Sequence, residues 1–230
     1  MPGRGHMLVH DDASQLAGSD RWSHRLPVSN LPGATDPWRQ ARRRRGGRMK
    51  LFGIASGLSD DVRRGIIPAR DSTDGHDESV AAWLNATGDH HPIVAGPDVA
   101  LTSAQSCRER PIVTEPALRE RGHGQWHGRN LRDLSPDDVR RWVDDPDFAP
   151  PGGESGRAAF ERIGDWLDHL PDGTGTLIVI ARPAVIRMLL IRALGSGTDM
   201  IRHLDVPPST RSEMSRHTGW RVSAIGVPLG

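Results

Sequence analysis

The sequence predicts a three-layer α/β/α fold with a mostly parallel central sheet. Two observations carry that prediction. Segments of strand and helix character alternate from Met49 onward, and residues 176–181 form an apolar run of strand length. A strand covered on both faces reads as such a run, and strands alternating with helices are the pattern of α/β domains.

The elements follow in order. Residues 50–55 read as a buried first strand, and 78–85 as a helix with Val80, Ala81 and Leu84 on one side. Residues 98–102 read as a short second strand introduced by the Gly96-Pro97 turn. Ser135-Pro136-Asp137-Asp138 has the form of a helix start: a capping hydroxyl, proline at the first helical position, then acids near the positive end of the dipole. A longer helix after Ser155 carries Phe160, Ile163, Leu167 and Leu170 at helical spacing, until Pro171-Asp172-Gly173 ends it. The strand over 176–181 leads to a helix over 185–194 closed by Gly195, and 220–225 supplies a last strand.

Residues 1–48 differ from the rest. They lack apolar periodicity, are rich in Gly, Pro, Ser and Asp, and end in Arg42-Arg43-Arg44-Arg45-Gly46-Gly47-Arg48. Such a segment buries too little apolar surface to offset its ordering entropy. It reads as a disordered basic tail, or as residues ahead of a start at Met49, in preference to a nucleic-acid arm. The folded domain is expected over 49–230.

Composition excludes several classes. The net charge of the 230 residues is +1, so bulk charge names no partner. Cys107 is the one cysteine, which excludes an intrachain disulfide and a cysteine metal cluster. It reads as a small buried thiol in preference to a reactive one. No apolar run approaches the ~20 residues that span a bilayer. The Arg42–Arg45 run before residues 51–54 has a twin-arginine look, but the apolar stretch is too short and Asp60 and Asp61 follow at once. The expectation is a cytoplasmic protein with no membrane partner, no favoured nucleic-acid partner and no cofactor.

In this architecture ligands bind beyond the carboxyl ends of the strands. Ala55-Ser56-Gly57 after the first strand and Ala181-Arg182-Pro183 after the central one are therefore the places to watch.

Three further segments carry a family resemblance. Leu118-Arg119-Glu120 followed by Gly124-Gln125-Trp126-His127-Gly128 resembles an "LRE…G-x-W-x-G" pattern. Trp142 through Gly152-Gly153-Glu154-Ser155 resembles "W…DP…PGGES", with Ser155 capping the next helix. Residues 177–195, with Ile186-Arg187 and Leu194-Gly195, resemble "VVxHxxxIRxLLxxxLG"; Leu204-Asp205-Val206 and Trp220 fit the closing strands. In this order they resemble the histidine phosphatase (phosphoglycerate mutase-like) superfamily. The resemblance implies hydrolysis of a phosphomonoester: a histidine in an Arg-His-Gly motif attacks phosphorus, a second histidine and two arginines hold the phosphoryl group, and an acid protonates the leaving oxygen. The chemistry is sound, since neutral imidazole is a competent nucleophile and arginine forks hold dianions.

This chain departs from that pattern. Ser56 stands at the nucleophile's position and Ala55 at an arginine's; Arg182 stands at the second histidine's, and Glu120 at the acid's. Thr102-Ser103-Ala104-Gln105-Ser106-Cys107-Arg108 resembles "S-P-x-x-R-C-R", which sets Ser106 at the second arginine, with a one-residue slip left open. Gly57, Ser106 and Arg182 are thus the substrate-binding positions, and Ser56, Arg182 and Glu120 the catalytic ones. Glu120 reads equally well as a surface carboxylate pairing with Arg119 or Arg121. His123 and His127 are spaced for a metal on a helix, but Gly122, Gly124 and Gly128 argue against a helix there, so no metal site is expected. His90, His91 and His203 read as solvent-facing or hydrogen-bonded. Trp83, Trp126, Trp142, Trp166 and Trp220 read as core fillers with tethered indole N–H groups, and Arg187 as a structural pair.

The leading expectation is a phosphatase-fold protein without phosphomonoesterase activity, binding a small phosphate-bearing ligand or a protein partner. The alternative is an active phosphatase or mutase-like hydrolase in which Arg182 clamps, Glu120 is the acid, and Ser56 or His123 attacks. The PGGES and Pro183-Ala184-Val185-Ile186-Arg187 segments resemble relatives linked to cobalamin metabolism.

Overall fold

Six strands form one sheet in the order β3-β2-β4-β1-β5-β6, in a computed structural model describing residues 48–69, 78–87, 91–99, 112–172 and 175–229. In chain order these are β1 (Met49–Ala55), β2 (Ile93–Ala95), β3 (Ile112–Thr114), β4 (Gly175–Ala181), β5 (Thr210–Arg216) and β6 (Trp220–Pro228). The helices are α1 (Asp60–Arg63), α2 (Glu78–Ala86), α3 (Pro136–Asp144), α4 (Gly156–Asp168) and α5 (Pro183–Ala193), with short 3₁₀ turns between them. Strands β3, β2, β4 and β1 run parallel, and β5 and β6 close the sheet antiparallel, so the α/β expectation and the central place of residues 176–181 both hold.

Alternation along β4 sorts the core into two layers. Leu177, Val179 and Ala181 pack with Phe160, Ile163 and Leu167 of α4 and with Val185, Ile186 and Leu189 of α5. Ile178 and Ile180 face the other way and pack with Ile54, Val80 and Leu84, beneath α2. Successive strand residues point to opposite faces, so one apolar run feeds both layers. Gly53 lets α5 come close to β1: an added Cβ would stand 3.2 Å from the Ile186 side chain.

Several boundaries differ from the sequence reading. The Gly96-Pro97 turn ends the second strand instead of introducing it: β2 is Ile93–Ala95, and Asp98 lies in the loop beyond. β3 is three residues long, too short to show a period. Leu204-Asp205-Val206 lies outside any strand. The first of the two closing strands is β5, whose sequence TRSEMSR holds a single apolar residue, Met214, and Trp220 opens the second, β6. Its buried polar side chains find local partners, as when Ser212 Oγ accepts from Gly226 N–H at 3.2 Å.

Caps split the same way. Ser155 Oγ accepts from Ala158 N–H at 3.1 Å, as expected of the α4 cap. Ser135 sits at the start of α3, with Pro136, Asp137 and Asp138 following as expected, but its hydroxyl makes no cap bond. The basic tail, His90, Ser106 and Cys107 lie outside the described residues. Arg48 is described, and its guanidinium donates to Ser215 Oγ at 2.6 Å. No helix among the described residues is long and apolar enough to cross a membrane.

Candidate functional site

The site grows from the carboxyl ends of three neighbouring strands. Ser56, just past β1, donates its N–H to Ala181 O at the end of β4 (2.9 Å), and Gly96, just past β2, donates to Ile180 O (2.9 Å). The loop after β2 is pressed against the one after β3: a Cβ on Gly96 would stand 2.6 Å from Leu118 O, which only glycine allows. Asp98, two residues on, accepts from Glu120 N–H at 2.5 Å and so ties the two loops together.

Arg182 lies at the centre. It precedes α5, is 5% exposed, and points its guanidinium between two carboxylates. Its Nε is 3.2 Å from Glu120 Oε2 and 3.9 Å from Asp98 Oδ2, and Nη2 donates to Asp98 O at 3.4 Å. The predicted Arg182 and Glu120 are therefore brought together, while Arg119 directs its guanidinium chiefly to Glu154 and Arg121 to the carbonyls of Glu154 and Phe148. Asp98 completes the group. Read as a strand residue, it gave no sign of this role.

Ser56 is not part of this group's surface. It is 2% exposed and lines neither of the two clefts around Arg182. The larger cleft, about 510 Å³, is bordered by Asp98, Glu120, His123, Glu154 and Arg182 among others. The smaller, about 220 Å³, lies toward Gly57, Pro183, Ala184, Arg187 and Asp205. Glu120 and Arg182 line both, so their ion pair stands as the partition between them.

The far wall of the larger cleft is a glycine-rich turn held by arginines. Glu154 N–H donates to Gly122 O (2.7 Å) and Gln125 N–H to Pro151 O (2.9 Å), laying residues 122–125 on 151–154. Gly124 has φ +55°, and a Cβ there would fall 2.2 Å from Pro151 O. Glycines in both segments thus serve close backbone packing. Glu154 receives bidentate bonds from Arg119 (2.9 and 3.0 Å) and Arg162 (3.0 and 2.8 Å). Burial raises the Glu154 pKa, but those hydrogen bonds outweigh it and hold the carboxyl below its usual range. Arg121 donates to the carbonyls of Glu154 (2.8 Å) and Phe148 (2.5 Å), and its burial brings its pKa down to about 10. The bond network joining Arg119, Arg121, Glu154 and Arg162 was invisible in sequence, because its members come from distant segments.

The two histidines flank the 3₁₀ turn Gly124–Trp126. His127 Nδ1 lies 2.6 Å from Pro68 O, and its Nε2 accepts the His123 backbone N–H at 3.3 Å. A carbonyl can only accept, so Nδ1 carries the proton and both nitrogens of His127 are engaged. His123 packs edge-on against His127 and Trp142, with ring centroids 5.6 and 5.7 Å away. Burial, with His127, Arg121 and Arg182 adding to it, lowers its pKa to about 4, so His123 is neutral near pH 7. Among the described residues, three arginines and three carboxylates line the larger cleft.

Other side chains depart from expectation. Trp142 Nε1 is buried without an acceptor among the described residues, where a tethered indole was expected. Arg187 Nε also finds no acceptor there, while the Asp205 and Glu120 carboxylates act on its charge. His203 is exposed, as expected.

A model of the histidine phosphatase superfamily (branch 1) matches residues 98–226, more than half of the chain. The chain belongs to the histidine phosphatase superfamily. Among curated relatives of this superfamily member, a bifunctional protein of Mycobacterium tuberculosis is 29% identical over 140 residues, which is 56% of this chain and 38% of that one. The adenosylcobalamin/alpha-ribazole phosphatase of Escherichia coli is 27% identical over 107 residues, 44% of this chain and 53% of that protein. The matches thus span only part of both relatives' lengths. Among solved structures, mycobacterial glucosyl-3-phosphoglycerate phosphatase superposes with a TM-score of 0.66 at 20% identity, covering 78% of this chain and 99% of that one. The alpha-ribazole phosphatase of Shigella flexneri gives 0.65 at 19% identity, covering 79% and 98%. At such identities the structural likeness concerns the fold.

Proposed function

We propose that this member of the superfamily has lost phosphomonoesterase activity and acts by binding a small phosphate-bearing ligand or a protein partner. The observation that carries the reading is Arg182, which takes the second histidine's position and is ion-paired with Glu120. An arginine at that place holds charge but moves no proton near neutral pH. Its pairing also engages the carboxylate that an active relative would use on the leaving oxygen. Ser56, at the nucleophile's position, is 2% exposed and lines neither cleft.

One observation favours the alternative of an active, rearranged hydrolase. His123 is neutral and lines the larger cleft, as a nucleophilic imidazole must. A pKa near 4 weighs against it, because nucleophilicity and basicity fall together and Brønsted behaviour favours values near the working pH.

The test is phosphomonoester turnover by the full chain, followed by rapid-quench trapping of a labelled phosphoenzyme. The non-catalytic reading expects neither. Turnover that disappears in Ser56→Ala or His123→Gln overturns it. The relatives' names make small-molecule phosphomonoesters of the alpha-ribazole and sugar-phosphoglycerate kind the first ligands to titrate.

A further inference from the structure

The smaller cleft contains a guanidinium that the reading above leaves without a task. Arg187 is half-buried on α5, and its Nε meets no acceptor among the described residues. A buried donor without a partner carries a desolvation cost, and an arginine fork is shaped for an oxyanion. Burial lowers the Arg187 pKa while the Asp205 and Glu120 carboxylates oppose that, so both acids act on it through space. Glu120 is also the residue 3.2 Å from Arg182 Nε. Glu120, Arg182 and Arg187 all border this smaller cleft. Pro183 and Ala184, the first turn of an eleven-residue helix, close the same cleft and add the positive end of its dipole.

We propose that Glu120 is an internal plug: its carboxylate holds the place beside Arg182 and Arg187 that the oxyanion of a ligand would take, and anion binding in the smaller cleft requires its displacement. The proposal deepens the binding function inferred above and rests on it. It names the ligand chemistry as a tetrahedral oxyanion, and it makes the resting protein self-blocked. Asp98 holds the Glu120 backbone N–H, so the loop is tied by a contact other than the carboxylate that the proposal displaces.

The experiment is calorimetric titration of the full chain with sulfate, and separately with inorganic phosphate, at neutral pH. Wild type, Glu120→Gln and the double variant Glu120→Gln/Arg187→Gln are compared. Glu120→Gln is expected to bind at least tenfold tighter than wild type, and the double variant to return to within about twofold of wild type. No gain in Glu120→Gln, or a gain that survives in the double variant, overturns the plug. Glu120→Ala is the second unplugged variant, with folding followed by circular dichroism. If neither single variant folds, the carboxylate is a structural necessity and the proposal falls. Turnover of p-nitrophenyl phosphate by wild type, measured alongside, would instead overturn the non-catalytic reading, whatever the titrations give.

Discussion

Glu120 Oε2 stands 3.2 Å from Arg182 Nε, and this contact joins the loop after β3 to the start of α5 across the floor of the site. The side chains are 27% and 5% exposed, so the pair is partly shielded from solvent and screened less than a surface pair. Glu120 is the acid position of the resemblance and Arg182 the second histidine position, and here each is the other's partner.

Restoring one family residue is not expected to restore chemistry. Arg182→His supplies an imidazole but leaves Ser56 at the nucleophile's position. Loss of a nucleophile alone costs on the order of 10⁶ in rate in a well-studied hydrolase. Hydrolysis of p-nitrophenyl phosphate by Arg182→His should stay at the level of wild type.

Glu154 is the most consequential carboxylate for stability. Its removal leaves two arginines without their bidentate partner, Arg162 19% and Arg119 41% exposed. Breaking a buried pair from one side costs about 3–5 kcal/mol, and the exposure of Arg119 places Glu154→Ala near the lower end. Urea unfolding should show a loss of about 3 kcal/mol, set against the 5–15 kcal/mol typical of domains.

His123 gives the protein an acid-sensitive term. The unfolded histidine titrates near 6.5 and the folded one near 4. Between those values the unfolded chain binds a proton that the folded chain does not, so stability is fully present above 6.5 and falls as pH drops toward 4. The difference is worth roughly 3 kcal/mol at pH 4 and below. His123→Phe, which can pack against Trp142, should lose roughly 3 kcal/mol less than wild type between pH 7 and 4 when unfolding is measured across that range.

Gly124→Ala should be among the most damaging small substitutions. The backbone there has φ +55°, and the new methyl would meet Pro151 O at 2.2 Å and Gly153 N at 2.4 Å. Neither is a flexible side chain, so the turn must separate. We expect more than about 2 kcal/mol of destabilisation, read as a lower Tm. Gly128→Ala, with φ +75° and open space around it, should cost less.

Much of the fold was legible because burial and periodicity are local signals. The run over 176–181 announced β4, the spacing of Phe160, Ile163 and Leu167 announced α4, and Ser155 announced its cap. Strand β5 was not legible: Ser212 and Ser215 are buried polar residues whose place depends on neighbours across the sheet. Trp142 defeated a general expectation about indole N–H groups, since its Nε1 meets no acceptor among the described residues.

The site divided along the same line. Residue identity along the chain was enough to set Ser56 and Arg182 just past the ends of their strands and Glu120 in its motif, because strand ends and family motifs are written consecutively. Which of them face a cleft, and which face each other, depends on contacts between segments far apart in the chain. Asp98 reaches Glu120 over 22 residues, Arg119 reaches Glu154 over 35, and Glu120, beyond β3, meets Arg182, just past β4, where β2 alone separates those strands. Charge pairing is a matter of distance in space, and no spacing in the sequence encodes it.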